Sequence, residues 1–248
     1  MTARKILILG ATSAIAQAYA RRRAGHHCSF ILAARREDRL CAIAADLIAC
    51  GAAAAEIFVV DPASMSGVGE AALELRERFG EPDEVVVTYG MLGDQCAAER
   101  DLVLARTLID TNFASAALWI LALLAGRQAT MPFTVVGIGS VAGDRGRASN
   151  CIYGAAKGGL DRFLEGLAQK FDGTATRIIR VKPGFVDTPM TDHIKKGGLL
   201  WTTPDRVAAD IEKAVAKGRR LAYTPWFWWP IMLVIRNLPW FIFRRLKV

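Results

Sequence analysis

A serine, a tyrosine and a lysine stand at a spacing that suits acid–base chemistry on a carbonyl group. Tyr153 and Lys157 are four residues apart in "YGAAK", which places them on one face of a predicted helix. A free phenol has a pKa of about 10 and a neighbouring ammonium lowers it, so Lys157 is expected to activate Tyr153. Tyr153 would then pass a proton to a carbonyl oxygen that Ser140, thirteen residues upstream, orients and polarises. The alternative is a half-buried tyrosine beside a surface lysine.

These residues must be positioned by a regular framework, and apolar runs predict one. Strands are predicted at 5–10, 29–34, 56–60, 84–88, 133–139, 177–184 and 220–225, and helices at 14–24, 37–50, 99–125, 153–171 and 205–217. Apolar strands that alternate with helices predict an α/β fold, a doubly wound parallel sheet of seven strands. We interpret residues 1–225 as one Rossmann domain and 226–248 as a hydrophobic, basic C-terminal extension.

The segment "GATSAIA" (10–16) lies between the first strand and the first helix, where a dinucleotide turn binds pyrophosphate. The turn residues expected to contact the cofactor are Gly10, Thr12, Ser13 and Ile15. Ala14 and Ala16 stand where glycines are usual, so the motif alone also fits an ordinary strand-to-helix turn.

The end of the second strand predicts which cofactor is preferred. Arg35 and Arg36 stand where an acidic residue would bind the ribose 2′-hydroxyl of NAD, and arginines there suit the 2′-phosphate of NADP. The sequence therefore favours NADP(H) over NAD(H), unless these arginines simply face water. Asp61, after the third strand, is expected either to contact the adenine or to cap the next helix.

Several motifs resemble those of the short-chain dehydrogenase/reductase family over residues 5 to about 225. They are "GATSAIA", "TYGMLG" with Gly90, "IDTNFAS" with Asn112, "GSVAG" with Ser140, "YGAAK", and "KPGFVDTPM" with Pro183 and Gly184. The resemblance implies a nicotinamide cofactor whose ribose Lys157 holds and whose carboxamide Val186 and Thr188 contact. It also implies that Asn112 helps to hold a proton-relay water, and that the protein is a homodimer or homotetramer.

Longer segments resemble those of enzymes with one particular activity within that family. They are "YGMLGD", "AGDRGRASNCIYGAAKGGLDRF", "MTDHIKKG" and "IRNLPWFIFRRLKV". This resemblance implies reduction of a 2-keto-pentofuranose carried on a polyprenyl phosphate, with a flavin-dependent oxidase partner that makes the ketone. Alternatives are a reductase of another lipophilic ketone (a steroid, a long-chain 3-keto lipid or a 3-oxoacyl thioester) and a non-catalytic NADP-binding protein.

The C-terminal extension combines aromatic residues with positive charge. Residues 226–248 hold seven aromatic side chains, and all eight charged residues after Glu212 are basic, while residues 1–212 are neutral overall. A neutral body with a basic, aromatic end favours an anionic membrane surface over nucleic acid. We expect a cytoplasmic protein, peripheral at the inner face of the membrane. A subunit interface is the second interpretation of the extension, and packing into its own core is the third.

The remaining reactive residues carry weaker signals. The five cysteines are scattered, which argues against a disulfide framework and a metal site. Four basic residues are candidates for binding a substrate phosphate, although each also fits a solvated surface charge: Arg145, Arg147, Lys195 and Lys196. The three histidines, His26, His27 and His193, have no partners in the sequence that indicate a role.

Overall fold

The computed structural model describes residues 3–192 and 194–246. Its strands are β1 (Lys5–Leu9), β2 (Ser29–Ala34), β3 (Ala54–Val59), β4 (Glu84–Val87), β5 (Phe133–Ile138), β6 (Thr176–Pro183), β7 (Phe185–Val186), β8 (Trp201–Thr202) and β9 (Leu221–Thr224). Its α-helices are α1 (Ala14–Ala24), α2 (Glu37–Ala49), α3 (Val68–Phe79), α4 (Gln95–Ala98), α5 (Leu102–Ile109), α6 (Ser115–Leu124), α7 (Cys151–Lys170), α8 (Pro204–Lys217), α9 (Trp228–Asn237) and α10 (Trp240–Phe243).

Seven strands form one parallel sheet in the order β3-β2-β1-β4-β5-β6-β9, which confirms the predicted doubly wound α/β fold. Helices α1, α2 and α8 bury their apolar sides against one face of the sheet, and α3, α6 and α7 against the other. The order of the strands reverses between β1 and β4, so a crevice opens at the carboxyl ends of these two strands. The sheet thus brings the ends of β1, β4, β5 and β6 to one edge.

The helix predicted at 99–125 is different in the structure. The side chain of Asp101 accepts hydrogen bonds from the backbone N–H groups of Val103 and Leu104, so α5 begins only at Leu102. A π-helical turn, Asp110–Ala114, then separates α5 from α6. Helix α3 lies outside the sequence prediction altogether. Its apolar residues Val68, Ala72 and Leu75 are buried, and the spacing of three to four residues is the signal that would have found it.

The continuous helical run Leu102–Leu124 is also long and apolar enough, by length and composition, to cross a membrane. Half of its apolar window is buried inside the protein. Trp119, Ile120 and Leu123 belong to the core beneath the sheet, which is the ordinary place for an apolar helix in a doubly wound fold.

A buried network of charges connects β6 and β9 to the loop after β5. The Lys182 ammonium lies 2.5 Å from Asp144 and 2.8 Å from Asp161, and all three side chains are almost fully buried. The Tyr223 hydroxyl donates to the second oxygen of Asp144 at 2.7 Å. Because removing one partner from a buried ion pair is strongly destabilising, this network fixes the segment that follows Ser140.

Candidate active site

One large cavity, of about 1860 Å³, opens at the edge where the sheet ends. Every residue predicted to bind cofactor lines it: Gly10, Thr12, Ser13, Ile15, Arg35, Arg36, Asp61, Gly90, Tyr153, Lys157, Pro183, Gly184, Val186 and Thr188. Ser140 lines the same cavity. Residues that were far apart in the sequence are therefore brought together around a single space.

The turn after β1 has the geometry that a phosphate requires. Gly10 has φ +87°, and a side chain there would meet Tyr89 at 2.7 Å, so only glycine fits. The first turn of α1 carries no acidic residue, and no side chain caps it at Ser13, which leaves its N–H groups available to an anion. Ala16 is fully buried and Ala14 lines the cavity. One usual glycine is thus replaced by a packed methyl group, and the other by an alanine at the cavity wall.

The catalytic candidates Ser140, Tyr153 and Lys157 lie at the end of β5. Ser140 caps a short 3₁₀-helix (Val141–Asp144), where its hydroxyl accepts from the N–H of Ala142 at 3.1 Å, and it is hydrogen-bonded to Tyr153. Lys157 lies one helical turn after Tyr153 and donates from Nζ to the carbonyl oxygen of Ile138 at 2.9 Å. Helix α7 therefore supplies a phenol and an ammonium to the same part of the cavity as the serine.

The pKa values of these groups differ from the expectation for Tyr153. Burial raises the pKa of the Tyr153 phenol, and the hydrogen bond with Ser140 offsets only part of that rise. Burial also lowers the pKa of Lys157 to about 8. The predicted lowering of the Tyr153 pKa is wrong for this structure, because desolvation of the phenol raises the pKa. A neutral Tyr153 is, however, the form that can donate a proton.

Asn112 is buried in the π-helical turn and does not line the cavity. Its amide nitrogen donates to the carbonyl oxygens of Met91 and Leu108, at 2.8 and 2.9 Å, and its oxygen accepts from the N–H of Met91 at 3.2 Å. The side chain thus fastens the segment after β4 to helix α5, beside Gly90. Its part in a proton relay stays a prediction.

The adenine end of the cavity is basic. Arg35 is exposed, whereas Arg36 pairs with Asp38 at 2.6 Å, and Arg39 also lines the cavity although the sequence analysis did not select it. Asp61 lines the cavity and accepts from the N–H of Ala63 at 3.0 Å. The alternative role of Asp61 as a helix cap is wrong, because α3 begins at Val68, after Gly67.

The structure separates the four candidate phosphate ligands. Lys196 pairs with Asp187 and Asp192, and neither it nor Lys195 lines the cavity. Arg145 lies 3.7 Å above the ring of Phe243 and donates to the carbonyl oxygen of Ile235, so it is part of the C-terminal packing. Only Arg147, of these four, lines the cavity.

The remaining reactive residues are histidines and cysteines. His26 lies 3.0 Å from Glu212, and His193 is outside the described residues. The five cysteines are free thiols, in agreement with the sequence analysis.

Helix α9 forms a wall of the cavity, which the sequence analysis missed. Trp228 and Met232 are buried in the protein's own interior, the interpretation given least weight for the C-terminal extension. Trp228 packs so closely on Gly184 that any larger residue at 184 would collide with the indole. The spacing of 228, 231, 232 and 235 is one face of a helix, and this periodicity is the signal that could have found it.

Comparisons with known proteins agree with this geometry. Residues 4–198 match the family model described as short chain dehydrogenase. Uncharacterized oxidoreductase Rv2073c of Mycobacterium tuberculosis is 35% identical over 241 residues, which cover 97% of this chain and 96% of that protein. The 3-oxoacyl-[acyl-carrier-protein] reductase FabG of Escherichia coli is 29% identical over 201 residues, 80% of this chain and 81% of that protein. A solved structure of an actinorhodin polyketide ketoreductase with NADPH is 22% identical, with a TM-score of 0.77 over 89% of this chain and 95% of that chain.

The buried Lys157 gives a pH-dependent stability that can be measured. Its pKa falls from 10.5 to about 8, so folding with a charged Lys157 costs about 3 kcal/mol below pH 8. Between about pH 8 and 10.5 the folded chain releases this proton before the unfolded chain does, so the cost disappears as the pH rises. In Lys157→Met no such change occurs. The stability of the variant relative to wild type is therefore expected to decrease by up to about 3 kcal/mol over this range.

Urea unfolding at a series of pH values tests this expectation. Lys170→Met is the matched control, since Lys170 is exposed at the end of the same helix. Its stability curve is expected to run parallel to that of wild type. A Lys157→Met curve that also runs parallel to wild type would contradict the lowered pKa.

Proposed function

The chain belongs to the short-chain dehydrogenase family and is an NAD(P)-dependent oxidoreductase, and from that premise we propose that it reduces the ketone of a lipid-linked sugar. The observation that carries the reductase activity is the Ser140–Tyr153 hydrogen bond beside the buried Lys157, inside one cavity with the phosphate turn. A non-catalytic NADP-binding protein would have no need to bury a lysine there.

The chain's residues divide the chemistry between them. The nicotinamide supplies a hydride when it is bound, and the turn at Gly10 and the segment Pro183–Thr188 would hold it. Ser140 orients the carbonyl group, and Tyr153 donates a proton to its oxygen. The raised pKa keeps Tyr153 protonated at neutral pH, and the ammonium of Lys157 stabilises the phenolate that remains. Asn112 holds the backbone around Gly90 and thereby the space next to Lys157.

We propose NADP(H) as the preferred cofactor. Arg35 and Arg39 line the adenine end of the cavity, and neither has an ion-pair partner among the described residues, whereas Arg36 is held by Asp38. Free guanidinium groups suit the 2′-phosphate because they can make paired hydrogen bonds to its oxygens.

The finer proposal is that the substrate is a polyprenylphosphoryl 2-keto-pentofuranose. The segments around Tyr153 and at the C-terminus resemble decaprenylphosphoryl-2-keto-ribose reductase, and the cavity has an apolar wall that suits a prenyl chain. That wall includes Ile231 and Ile235 of α9 together with Met190, Ile194 and Leu200. A flavin-dependent oxidase would supply the ketone, so that the two enzymes together invert one carbon. A reductase of a 3-oxoacyl thioester is the second candidate, favoured by the similarity to FabG.

The assay is oxidation of NADPH with a prenylphosphoryl 2-keto-pentofuranose, followed at the nicotinamide absorbance. Wild type is expected to turn over, and Tyr153→Phe to lose activity by a factor of about 100 or more, because general acid catalysis contributes that much. The variant keeps the ring, so NADPH binding should be retained. NADPH is expected to react faster than NADH because of Arg35.

The outcomes separate the levels of the proposal. Turnover that survives in Tyr153→Phe would contradict the proton donor. If protein that binds NADPH shows no turnover, the keto-sugar substrate is contradicted, and the 3-oxoacyl thioester is the next compound to assay.

We propose further that the protein is a homo-oligomer that works at an anionic membrane surface. Support for an oligomer comes from α5 and α6, where Leu102, Val103 and Leu121 are exposed apolar residues. Support for the membrane comes from the outer side of the C-terminal segment. Trp226 and Trp240 are 70% and 69% exposed there. Exposed large apolar side chains that form a contiguous patch are typical of interaction sites.

The membrane proposal predicts binding to vesicles that contain phosphatidylglycerol. Wild type is expected to sediment with these vesicles more than with phosphatidylcholine alone, and less as the salt concentration increases. The combined variant Trp229→Ser, Trp240→Ser, Phe241→Ser is expected to remain in the supernatant. Its matched control, Val59→Ser with Leu73→Ser, removes two exposed apolar side chains elsewhere on the surface and should sediment like wild type. Equal sedimentation of both variants would contradict the proposal.

A further inference from the structure

Arg147 is a half-buried guanidinium that lines the cavity and contacts helix α9. It lies in the loop between Ser140 and Tyr153, and it lines the same cavity as both. Its Nη2 atom lies 3.6 Å from the sulfur of Met232, which is a weak acceptor, and its Nε is buried with no hydrogen-bond partner. The loop thus places a positive charge in the cavity that Ser140 and Tyr153 also line.

No carboxylate within the described residues forms an ion pair with Arg147. Asp144, the acid that acts on it electrostatically, gives one oxygen to Lys182 and the other to the Tyr223 hydroxyl. Burial lowers the pKa of Arg147, yet an arginine stays charged at neutral pH. A buried charge without a partner is costly, and an anionic ligand would remove that cost.

Two further polar groups around Arg147 have buried atoms without partners. They are the side-chain oxygen of Asn150 and the indole nitrogen of Trp228, and both residues line the cavity. Arg145, two residues away, does not line the cavity. Its guanidinium donates to backbone carbonyl oxygens and lies over the Phe243 ring. Arg147, Asn150 and Trp228 thus bring three buried atoms without partners to the cavity, and the neighbouring Arg145 does not share this feature.

The wall beside Arg147 is apolar. Met232, which Arg147 contacts, is on α9, and the neighbouring Ile231 and Ile235 line the cavity. A ligand that satisfies both features has an anionic group attached to an apolar chain.

We propose that Arg147 binds a phosphate group of the substrate and that α9 contacts the apolar chain attached to that phosphate. This rests on the proposed function, since in a glycosyl phosphate with a 2-keto group the phosphate is attached to the carbon next to the ketone. A guanidinium in the same cavity as Ser140 and Tyr153 suits that arrangement, and its planar fork can bind two phosphate oxygens. Arg147 then determines specificity for a phosphorylated ketone over a neutral one.

Binding of farnesyl phosphate and of neutral farnesol, measured by calorimetry in protein saturated with NADP⁺, tests this directly. Wild type is expected to bind farnesyl phosphate at least about 10-fold more tightly than farnesol. Arg147→Met keeps an unbranched side chain against Met232 and removes the charge. It is expected to lose about 10- to 100-fold in affinity for farnesyl phosphate and nothing for farnesol. Arg147→Lys should retain part of the preference, and the exposed Arg100→Met should retain all of it.

Other results would overturn the proposal. If wild type does not prefer the phosphate, or if Arg147→Met weakens both ligands equally, Arg147 has a packing role only. Inorganic phosphate is expected to bind more weakly than farnesyl phosphate, and equal binding would remove the apolar part of the proposal.

Failure here and failure of the proposed function are distinguishable. If the enzyme turns over the keto sugar but Arg147→Met binds farnesyl phosphate and farnesol like wild type, only the phosphate site is contradicted. If the preference for farnesyl phosphate depends on Arg147 but the keto sugar is not turned over, only the keto-sugar substrate is contradicted.

Discussion

The burial of one ammonium group, on Lys157, is the constraint around which the catalytic region is organised. The group is held by a carbonyl at the end of β5, in a place where water does not stabilise its charge. Desolvation alone lowers its pKa to about 8, so the protein keeps this charge at a cost in stability. Such a cost is typical of functional sites. The neutral phenol of Tyr153, one turn earlier, gains a positive neighbour for the moment at which it loses its proton.

The surroundings of Lys157 depend on distant elements. Helix α7 is anchored against the sheet, and the buried group of Lys182, Asp144 and Asp161 connects α7 to β6 and to the loop after Ser140. From the other side, Asn112 holds the segment after β4 through a π-helical turn, a feature that occurs frequently at functional sites. The sheet edge, the π-turn and the charge network together fix a serine, a phenol and an ammonium within one cavity.

Helix α9 connects this cavity to the surface. Its inner side contributes Trp228 and Ile231 to the cavity wall, and its outer side exposes Trp229 and Val234. One short helix thus lines the cavity with one side and presents apolar side chains at the surface with the other. A lipid-linked substrate would need such an arrangement, because its polar end must reach Tyr153 while its chain remains in apolar surroundings.

Much of this could be predicted from the sequence. Parallel strands buried on both faces are continuous apolar runs, so the sheet and the edge where the cavity opens could be predicted, as could the placement of Ser140, Tyr153 and Lys157 in one cavity. The start of α5 was not, because it depends on the side chain of Asp101 accepting two backbone N–H groups. The predicted direction of the Tyr153 pKa shift was wrong, because desolvation depends on burial in the folded structure. The same holds for Arg147 and Arg145, which look alike in the sequence and have different partners.

The central claim is that reduction depends on a protonated Tyr153 beside a charged Lys157. The most direct test is the pH dependence of kcat/KM for carbonyl reduction, which reports the ionisations of the free enzyme. The account predicts a constant value through neutral pH and a decrease above about pH 8, where Lys157 loses its proton. A kcat/KM that instead increases from about pH 7 to 9 would contradict it, because the essential group would then have to be deprotonated before reaction.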